Sequence, residues 1–188
     1  MFARTPRLLL RPGFPEDAPA LAQAIGDEAI VRNLSAVPWP YRVSDAEAFL
    51  ARPRDPVLPS LLVFERTTRA LNLVGVCGLG RRPSGAIELG YWIARSFWSR
   101  GFATEAGRAL IDIGRTLGLM QLEASHFIYN PASARVLDKL GFESTGLIAP
   151  RMNCARGVEL PARLMRLRLG AEAASLPASE PDAKPLAA

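Results

Sequence analysis

The sequence predicts one domain of mixed α/β or α+β class. Apolar runs of strand length are interspersed with stretches of helical spacing. The first half contains a meander of strands, and the second half follows the order strand–helix–strand–helix–strand–strand. The 188 residues, 49% of them apolar, suffice for one core but not for two full-sized domains.

In the first half, three leucines between arginines predict a strand over residues 7–11, which ends at Pro12 and Gly13. Apolar residues spaced three or four apart predict a helix over residues 16–34. Ser44 followed by Glu47 is typical of a capping box, which predicts a short helix to residue 51. Apolar runs over 61–64 and 71–76 predict a hairpin, and a further strand is expected over 87–94.

In the second half, an apolar stripe predicts a helix over residues 102–117, ended by Gly118. A strand is expected over 121–129 and a helix over 131–140, ended by Gly141. Two more strands are expected over 142–148 and 162–169. Residues 171–188 are rich in alanine and proline, which predicts a disordered tail beyond a domain of residues 1–170.

The charge of the chain permits a polyanionic partner. The formal net charge is +5, and the tail is acidic, so residues 1–170 carry +7. Nucleic acid, an acidic membrane or a phosphorylated cofactor would each suit this balance. The charge does not choose among them, although no nucleic-acid-binding motif is present.

The cysteine count argues against a disulfide framework or a zinc site, because Cys77 and Cys154 are far apart and His126 is the one histidine. No metal is therefore expected. The apolar runs are too short for a signal peptide or a membrane span. We expect a soluble cytoplasmic protein. Cys77 lies in an apolar run, which favours a buried structural thiol over an acyl-carrying nucleophile.

The segment before the helix at residue 102 is a candidate anion site. Amide groups at a helix N-terminus have no intrahelical partner, and the helix dipole favours anions there. Gly101 would let a phosphate approach the backbone, and Arg100 would add a cation. The alternative is an ordinary turn glycine.

Two sequence blocks carry a family resemblance. The first is Gly-Tyr-Trp at residues 90–92 with Trp-Ser-Arg-Gly-Phe-Ala-Thr-Glu-Ala at residues 98–106. The second is Asn130 and Ser133, followed by Val-Leu-Asp-Lys-Leu-Gly-Phe at residues 136–142. In order and spacing they resemble the GNAT superfamily of N-acetyltransferases, over about residues 7–169. Trp98 stands where glutamine or arginine is commoner in the superfamily, and tryptophan is usual in the RimJ/RimL-like branch.

The resemblance implies a central, mostly antiparallel sheet of about seven strands flanked by about four helices, with two strands splayed apart at an acetyl-CoA site. It implies that the pyrophosphate of acetyl-CoA lies on the amides of residues 99–104 and that pantetheine lies along the strand end. The residues expected to bind acetyl-CoA are Ile93, Ala94, Ser99, Arg100, Gly101, Phe102, Ala103, Thr104, Asn130 and Lys139.

Two of these residues have alternative roles. Asn130 precedes Pro131, so it is well placed to cap the following helix with or without a cofactor contact. Lys139 either reaches a phosphate or is solvated near the helix end.

The implied reaction is direct attack of a primary amine, from a protein N-terminus or a small molecule, on acetyl-CoA. The serine that matches Ser133 protonates the leaving thiolate in this branch, and simple packing is its alternative. The amine needs a base. Glu88 is the first candidate, ahead of His126 and Glu123, and each of them has the alternative of an ordinary strand residue.

Two further groups have expected positions around the acceptor. Arg151, Cys154 and Arg156 are expected on a loop at its mouth. Trp39, Tyr41 and Phe49 either line the opposite wall or anchor the helical arm. A non-catalytic acyl-CoA-binding regulatory module is the alternative function, and both a monomer and a homodimer remain open.

Overall fold

The structure, a computed structural model, describes residues 1–68 and 70–170, which form one eight-stranded sheet with helices on both faces. The predicted tail over 171–188 lies outside the described residues. The strands are β1 (Ala3–Arg4), β2 (Leu8–Arg11), β3 (Ser60–Arg66), β4 (Leu71–Arg81), β5 (Ile87–Ile93), β6 (Gln121–Phe127), β7 (Glu143–Asn153) and β8 (Val158–Arg168). The α-helices are α1 (Ala18–Ile25), α2 (Glu28–Val31), α3 (Val43–Leu50), α4 (Phe102–Thr116) and α5 (Pro131–Lys139).

The strand order is β1-β2-β3-β4-β5-β6-β8-β7, and β5–β6 is the one parallel pair in the described sheet. Parallel neighbours need a crossover connection, and α4 supplies it here. Helices α4 and α5 cover one face of the sheet, where Phe102, Leu110 and Leu137 pack in the main core. Helices α1, α2 and α3 cover part of the other face.

The predicted fold class is confirmed, with eight strands instead of about seven. The additional strand is β1, whose two residues pair with Leu9 and Leu10 and are too few to leave a sequence pattern. The strand predicted over 121–129 ends at Phe127, where a turn begins.

The helix predicted over 16–34 is wrong as a single element. A 3₁₀ turn, Pro15–Asp17, precedes α1, and the chain breaks at Gly26 before α2. Asp27 causes the restart, because its side chain accepts a hydrogen bond from the Ala29 amide at 2.8 Å. Side-chain capping of this kind competes with continuation of a helix.

The Ser44–Glu47 capping box is also wrong. Helix α3 begins two residues earlier than such a box implies, at Val43, and Arg42 instead of Ser44 occupies the N-cap position. The Asp45 carboxylate accepts the Arg42 amide hydrogen at 2.7 Å, which satisfies the backbone group that the predicted box would have left free.

The last hairpin is longer than predicted, because β7 and β8 replace the short strands expected over 142–148 and 162–169. Strand β7 is an edge strand that carries Pro150 and shifts register between Ser144 and Ile148, with Gly146 at φ 79°. These interruptions break the alternating pattern by which strands are recognised in a sequence.

Glu105, in the first turn of α4, ties the N-terminal segment to the helix. Its carboxylate accepts hydrogen bonds from the Thr5 hydroxyl at 2.6 Å and the Arg7 amide at 3.0 Å. It also pairs with the Arg7 guanidinium at 2.6 Å. Burial opposes ionisation, but these donors outweigh it and lower the pKa of Glu105 below its ordinary value of 4.5.

Replacing Glu105 by Gln should lower the free energy of unfolding by about 1–2 kcal/mol at pH 7, because charge-assisted hydrogen bonds are lost. A carboxyl with a lowered pKa in the folded state stabilises the fold above its unfolded pKa, and this contribution disappears as the pH falls through the folded pKa. Urea denaturation of wild type and E105Q should therefore give a stability difference that narrows as the pH falls below the ordinary Glu pKa of 4.5. The matched control is the exposed Glu143→Gln. A difference independent of pH, or one as large for E143Q, contradicts the assignment.

Candidate functional site

A gap between β5 and β6 is the main feature of the site. Glu88 beside Glu123 is the one paired level between these strands in the described chain, and beyond it β5 and β6 diverge toward their C-terminal ends. This is the splay that the sequence resemblance implied. Backbone groups of the two strands therefore border an opening in the middle of the sheet.

The β5 side of the gap follows from its pairing with β4. The Ala94 amide donates to the Val74 carbonyl at 2.8 Å. Hydrogen bonds alternate along an antiparallel pair, and the β4–β5 register is regular, so even-numbered residues of β5 point their backbone groups at β4. The backbone groups of Tyr91 and Ile93 consequently point toward the gap.

The same reasoning fixes the β6 side. The Ile128 amide donates to the Pro161 carbonyl at 3.1 Å, which places even-numbered backbone groups of β6 against β8. Ser125 therefore presents its backbone groups to the gap. Phe127 presents only its amide, because its carbonyl accepts the Asn130 amide hydrogen at 2.9 Å. Both walls offer hydrogen-bonding groups at the spacing of a β-strand.

The turn before α4 exposes backbone amides. Gly101 is the N-cap residue at φ 79°, without a side-chain cap, and Ser99 also has a positive φ of 59°. The amides of Phe102, Ala103 and Thr104 belong to the first turn of α4, whose N–H groups have no intrahelical partner. The Phe102 ring is only 1% exposed, so the core fixes this end of the helix.

Trp98 connects this turn to the strand end. Its indole Nε1–H donates to the Ile93 carbonyl at 2.7 Å, while its ring is 43% exposed. The bond holds the helix N-terminus next to the opening of the gap. The first motif block therefore contains a positioning side chain as well as the glycine turn.

Arg100 is engaged in this structure. Its guanidinium pairs with Glu65 and lies over the Phe97 and Phe102 rings, at 5.3 and 4.7 Å from their centroids. Its charge is thus partly neutralised where the sequence suggested a free cation. Lys139, the last residue of α5, is exposed.

Asn130 and Ser133 begin α5, directly after β6. The Asn130 side chain accepts the Ser133 amide hydrogen at 3.1 Å, which confirms its capping role. The Ser133 hydroxyl lies 2.9 Å from the Tyr91 hydroxyl. This contact joins α5 to β5 across the back of the gap, on the face that α4 and α5 cover.

Glu88 lies at the closed end of the gap, on the opposite face of the sheet from Tyr91 because side chains alternate along a strand. Its carboxylate pairs with the Arg82 Nε at 2.5 Å and accepts a hydrogen bond from the Ser125 hydroxyl at 2.7 Å. The Ser125 bond spans the two diverging strands. Each carboxylate oxygen therefore has a partner.

The surface beside Glu88 is bare backbone. Gly80 lies opposite Glu88 on β4, and Gly90 lies two residues further along β5, so all three share one face. Both glycines are exposed, and a Cβ added at either would meet no atom within 4 Å. The central strands are thus uncovered here.

The other two candidate bases are placed differently. His126 is 8% exposed, its Nδ1 lies 3.0 Å from the Phe127 carbonyl, and it shares the α4/α5 face with Tyr91. Glu123 lies on the face of Glu88 and is 3.5 Å from the Arg166 guanidinium. The structure brings Glu88 and Ser125 together and keeps His126 apart from them.

The remaining candidate residues fall outside the gap. Cys77 is buried as predicted, and burial raises the pKa of its thiol to about 12. Cys154 is exposed in the turn between β7 and β8, whereas Arg151 belongs to β7. Arg156 lies over the Tyr129 ring, 5.0 Å from its centroid.

The aromatic residues of the helical arm divide into two groups. Tyr41 and Phe49 pack against the cluster beneath α1 and α3, which favours the anchoring role. Trp39 is 40% exposed.

None of the helices within residues 1–68 and 70–170 is long and apolar enough to cross a bilayer. The same residues include no cluster of three or more His, Cys, Asp or Glu side chains that could hold a metal ion.

A depression of about 850 Å³ lies between the end of α1, the start of β4 and residues 94–97, where Arg95 and Asp27 pair at 3.4 Å.

Sequence reasoning missed the partners that orient the candidate residues: Arg82, Tyr91, Trp98 and Ser125. Tyr91 and Trp98 belong to the first motif block, so that block was their available signal. Ser125 lies two residues after Glu123 on the same predicted strand, so the sequence indicates that both side chains are on the face opposite to His126. It does not indicate the contact between Ser125 and Glu88.

Comparisons with known proteins agree with this geometry. Residues 7–143 match the family described as an acetyltransferase (GNAT) domain. The uncharacterized N-acetyltransferase p20 of Bacillus licheniformis is 33% identical over 153 residues, which cover 77% of this chain and 83% of that protein. A GNAT-family acetyltransferase from Bacillus anthracis has the same fold, with a TM-score of 0.76, 19% identity and coverage of 90% of this chain and 99% of that one.

A second solved structure is RimL, a ribosomal L7/L12 α-N-protein acetyltransferase in complex with coenzyme A. It has a TM-score of 0.72 and 18% identity, and it covers 90% of this chain and 98% of its own. At such identity the likeness shows the fold alone, whereas the family match and the p20 relative show kinship. The chain therefore belongs to the GNAT acetyltransferase family and is an acetyl-CoA-dependent N-acetyltransferase.

Proposed function

We propose that this enzyme transfers the acetyl group of acetyl-CoA directly to a primary amine while both substrates are bound. The gap between β5 and β6 is the observation that carries the proposal. It opens through the sheet, so that a donor held from the α4 side and an amine arriving beside Glu88 can meet within it. The amine belongs to a protein N-terminus or to a small molecule.

The residues around the gap fit the donor. The amide groups of pantetheine match the backbone groups of Tyr91 and Ser125 and the amides of Ile93 and Phe127. The carbonyls of Ile93 and Phe127 already accept hydrogen bonds from Trp98 and Asn130. The pyrophosphate matches the turn at Ser99 and the first amides of α4, where dipole and free N–H groups favour anions. Residues 1–170 carry a net charge of +7, which favours a polyanionic donor.

Replacing Gly101 by Ala should weaken coenzyme A binding by about tenfold or more, because the added methyl group intrudes between a phosphate and the helix amides. A left-handed backbone costs any residue with a Cβ about 1–2 kcal/mol, so stability falls as well. The matched control is Gly118→Ala, at the other end of α4, with φ 71° and open space around it.

Isothermal titration calorimetry and thermal unfolding separate the two effects. G118A should lose similar stability but keep its affinity for coenzyme A. Equal loss of affinity in both variants would assign the effect to backbone strain and contradict a phosphate site at Gly101.

The proton balance assigns roles to two side chains. The acceptor nitrogen forms a bond to the acetyl carbonyl carbon, the carbon–sulfur bond breaks, and the electron pair goes to sulfur. The amine gives up a proton to Glu88, the proposed base, and the sulfur gains one from Ser133, the proposed acid. Ser133 recovers a proton from solvent, and Glu88 releases one to solvent, so the protons balance. Glu88 is preferred over His126 because it lies at the gap on the uncovered face.

Replacing Glu88 by Gln should lower kcat/KM by about 10²–10⁴-fold, the range for loss of a general base. The amide keeps the size of the side chain and can still accept from Ser125. Thiol release from acetyl-CoA in the presence of an amine measures the effect. Full activity of E88Q together with loss of activity in H126Q would transfer the role to His126.

The acceptor is proposed to lie on the bare surface formed by Gly80 and Gly90. A strand interior favours β-branched residues, and glycine there often marks the close approach of a ligand. Neither glycine has a positive φ or a crowded Cβ that would explain it. RimL, which shares the fold, is described as acting on a protein α-amine, and an uncovered surface of this kind suits a chain end as well as a small amine.

Replacing Gly90 by Val should raise KM for the acceptor by about tenfold, because the side chain would occupy the surface where the acceptor lies. KM for acetyl-CoA and the melting temperature should be preserved, since the new atoms point into open space. Steady-state kinetics with each substrate varied in turn test this. A rise confined to KM for acetyl-CoA would contradict the acceptor surface.

The proposed function as a whole is tested by incubating the enzyme with acetyl-CoA and a library of peptides and small amines. Thiol release that depends on an amine, with a product heavier by one acetyl group in mass spectrometry, is expected. If no amine in the library accelerates thiol release, the proposal of a primary amine acceptor is wrong.

A further inference from the structure

The contact between Tyr91 and Ser133 connects two motif blocks across the back of the gap. Their hydroxyl oxygens are 2.9 Å apart, whereas the Ser133 carbonyl is 3.4 Å from the Tyr91 hydroxyl and therefore a weaker acceptor. Tyr91 is a β5 residue whose backbone points into the gap, and Ser133 is in the first turn of α5, just after β6 ends. The pair thus lies beside the gap in which the proposed function places the thioester.

The chemistry of hydroxyl groups gives this contact a direction. Each hydroxyl has one hydrogen to donate and two lone pairs to accept with. A phenol is the stronger donor of the two, and burial, the larger influence on Tyr91, raises its pKa to about 12, so that it keeps its proton. When Tyr91 donates to Ser133, the serine hydrogen is left free to point elsewhere.

We propose that Tyr91 is a positioning residue: its hydroxyl occupies a lone pair of Ser133 and directs the serine hydrogen to the sulfur that leaves acetyl-CoA. Successive hydrogen bonds polarise one another, so the Tyr91 bond also strengthens Ser133 as a donor. As the carbon–sulfur bond breaks, the electron pair on sulfur accepts this hydrogen bond. The proposal rests on the proposed function and adds Tyr91 to it as the residue that orients the Ser133 hydroxyl.

The stabilised species is the thiolate, so coenzyme A itself is a suitable probe. A cysteine thiol has a pKa of about 8.5, and a hydrogen bond to any thiolate lowers the pKa of its thiol. The ultraviolet absorbance of the thiolate, titrated with enzyme-bound coenzyme A, measures this pKa without any acceptor. His126 and its cross-strand neighbour Arg163 lie on the same face of the sheet as the pair, and Arg135 and Lys139 are exposed residues that follow Ser133 on α5.

Four variants test whether Tyr91 acts through Ser133 on the pKa of bound coenzyme A. Tyr91→Phe keeps the ring and removes the hydroxyl, and it should raise the pKa of bound coenzyme A by about one unit. Ser133→Ala should raise it at least as much, and Ser133→Thr should retain the wild-type value because it keeps the hydroxyl. The double variant Y91F/S133A should raise the pKa of bound coenzyme A no further than S133A alone does. The effects of two residues are not additive when one acts through the other.

Tyr129→Phe is the matched control, since it removes a phenol hydroxyl that donates to the Arg32 carbonyl at 2.7 Å. It should leave the pKa of the bound thiol unchanged. An unchanged pKa in Y91F, or an equal rise in Y129F, overturns the inference. A rise in His126→Gln without one in Y91F overturns it too and assigns the thiolate to the histidine.

The experiment separates this inference from the proposed function. If coenzyme A does not bind to the wild-type enzyme, the proposed donor site fails. If it binds with a thiol pKa that Y91F and S133A do not alter, the donor site stands and the role of Tyr91 fails. With an acceptor in hand, Y91F should lower kcat and leave KM for acetyl-CoA unchanged.

Discussion

The site depends on how little β5 and β6 are joined. They are parallel neighbours that pair at one level, Glu88 beside Glu123, and the Ser125–Glu88 hydrogen bond closes that end. A fully paired sheet would use the backbone groups of Tyr91 and Ile93 internally, because buried backbone groups must find partners. Divergence leaves the backbone groups of Tyr91 and the amide of Ile93 without a strand partner, while Trp98 donates to the Ile93 carbonyl. Each wall is held from its outer side instead, by β4 and by β8, so the gap stays open without loosening the sheet.

Helices α4 and α5 supply the remaining groups around the gap. Helix α4 presents its N-terminal amides beside the opening, with Trp98 bonded to the Ile93 carbonyl and the Phe102 ring buried beneath. Helix α5 presents Ser133 behind it. The two faces of the sheet therefore carry different groups. The α4/α5 face holds the Tyr91–Ser133 hydroxyl pair, and the opposite face holds Glu88 and the exposed glycines Gly80 and Gly90. Alternation of side chains along β5 accomplishes this separation within four residues.

The sequence predicted the parts of the site that rest on neighbouring residues. Asn130 before Pro131 is a local cap, and the glycine turn before residue 102 is local as well, so both could be identified. Contacts between distant residues could not be: Tyr91 and Ser133 are 42 positions apart, and Thr5 and Glu105 are 100 apart. The helix predicted over 16–34 failed for a related reason, since the apolar spacing continues through Gly26 although Asp27 starts a new helix. Which of several acidic strand residues meets the gap depended on register, which only the sheet determines.

The edge strand β7 has a consequence for the behaviour of this protein at high concentration. A long exposed edge offers unpaired amides and carbonyls to any passing strand, and such edges nucleate aggregates. Pro150 removes one donor from this edge, and the register shift around Gly146 bends it. A second molecule cannot continue the ladder along the full length of β7. The irregularities that obscure the strand in the sequence thus also limit how far another strand could pair along this edge.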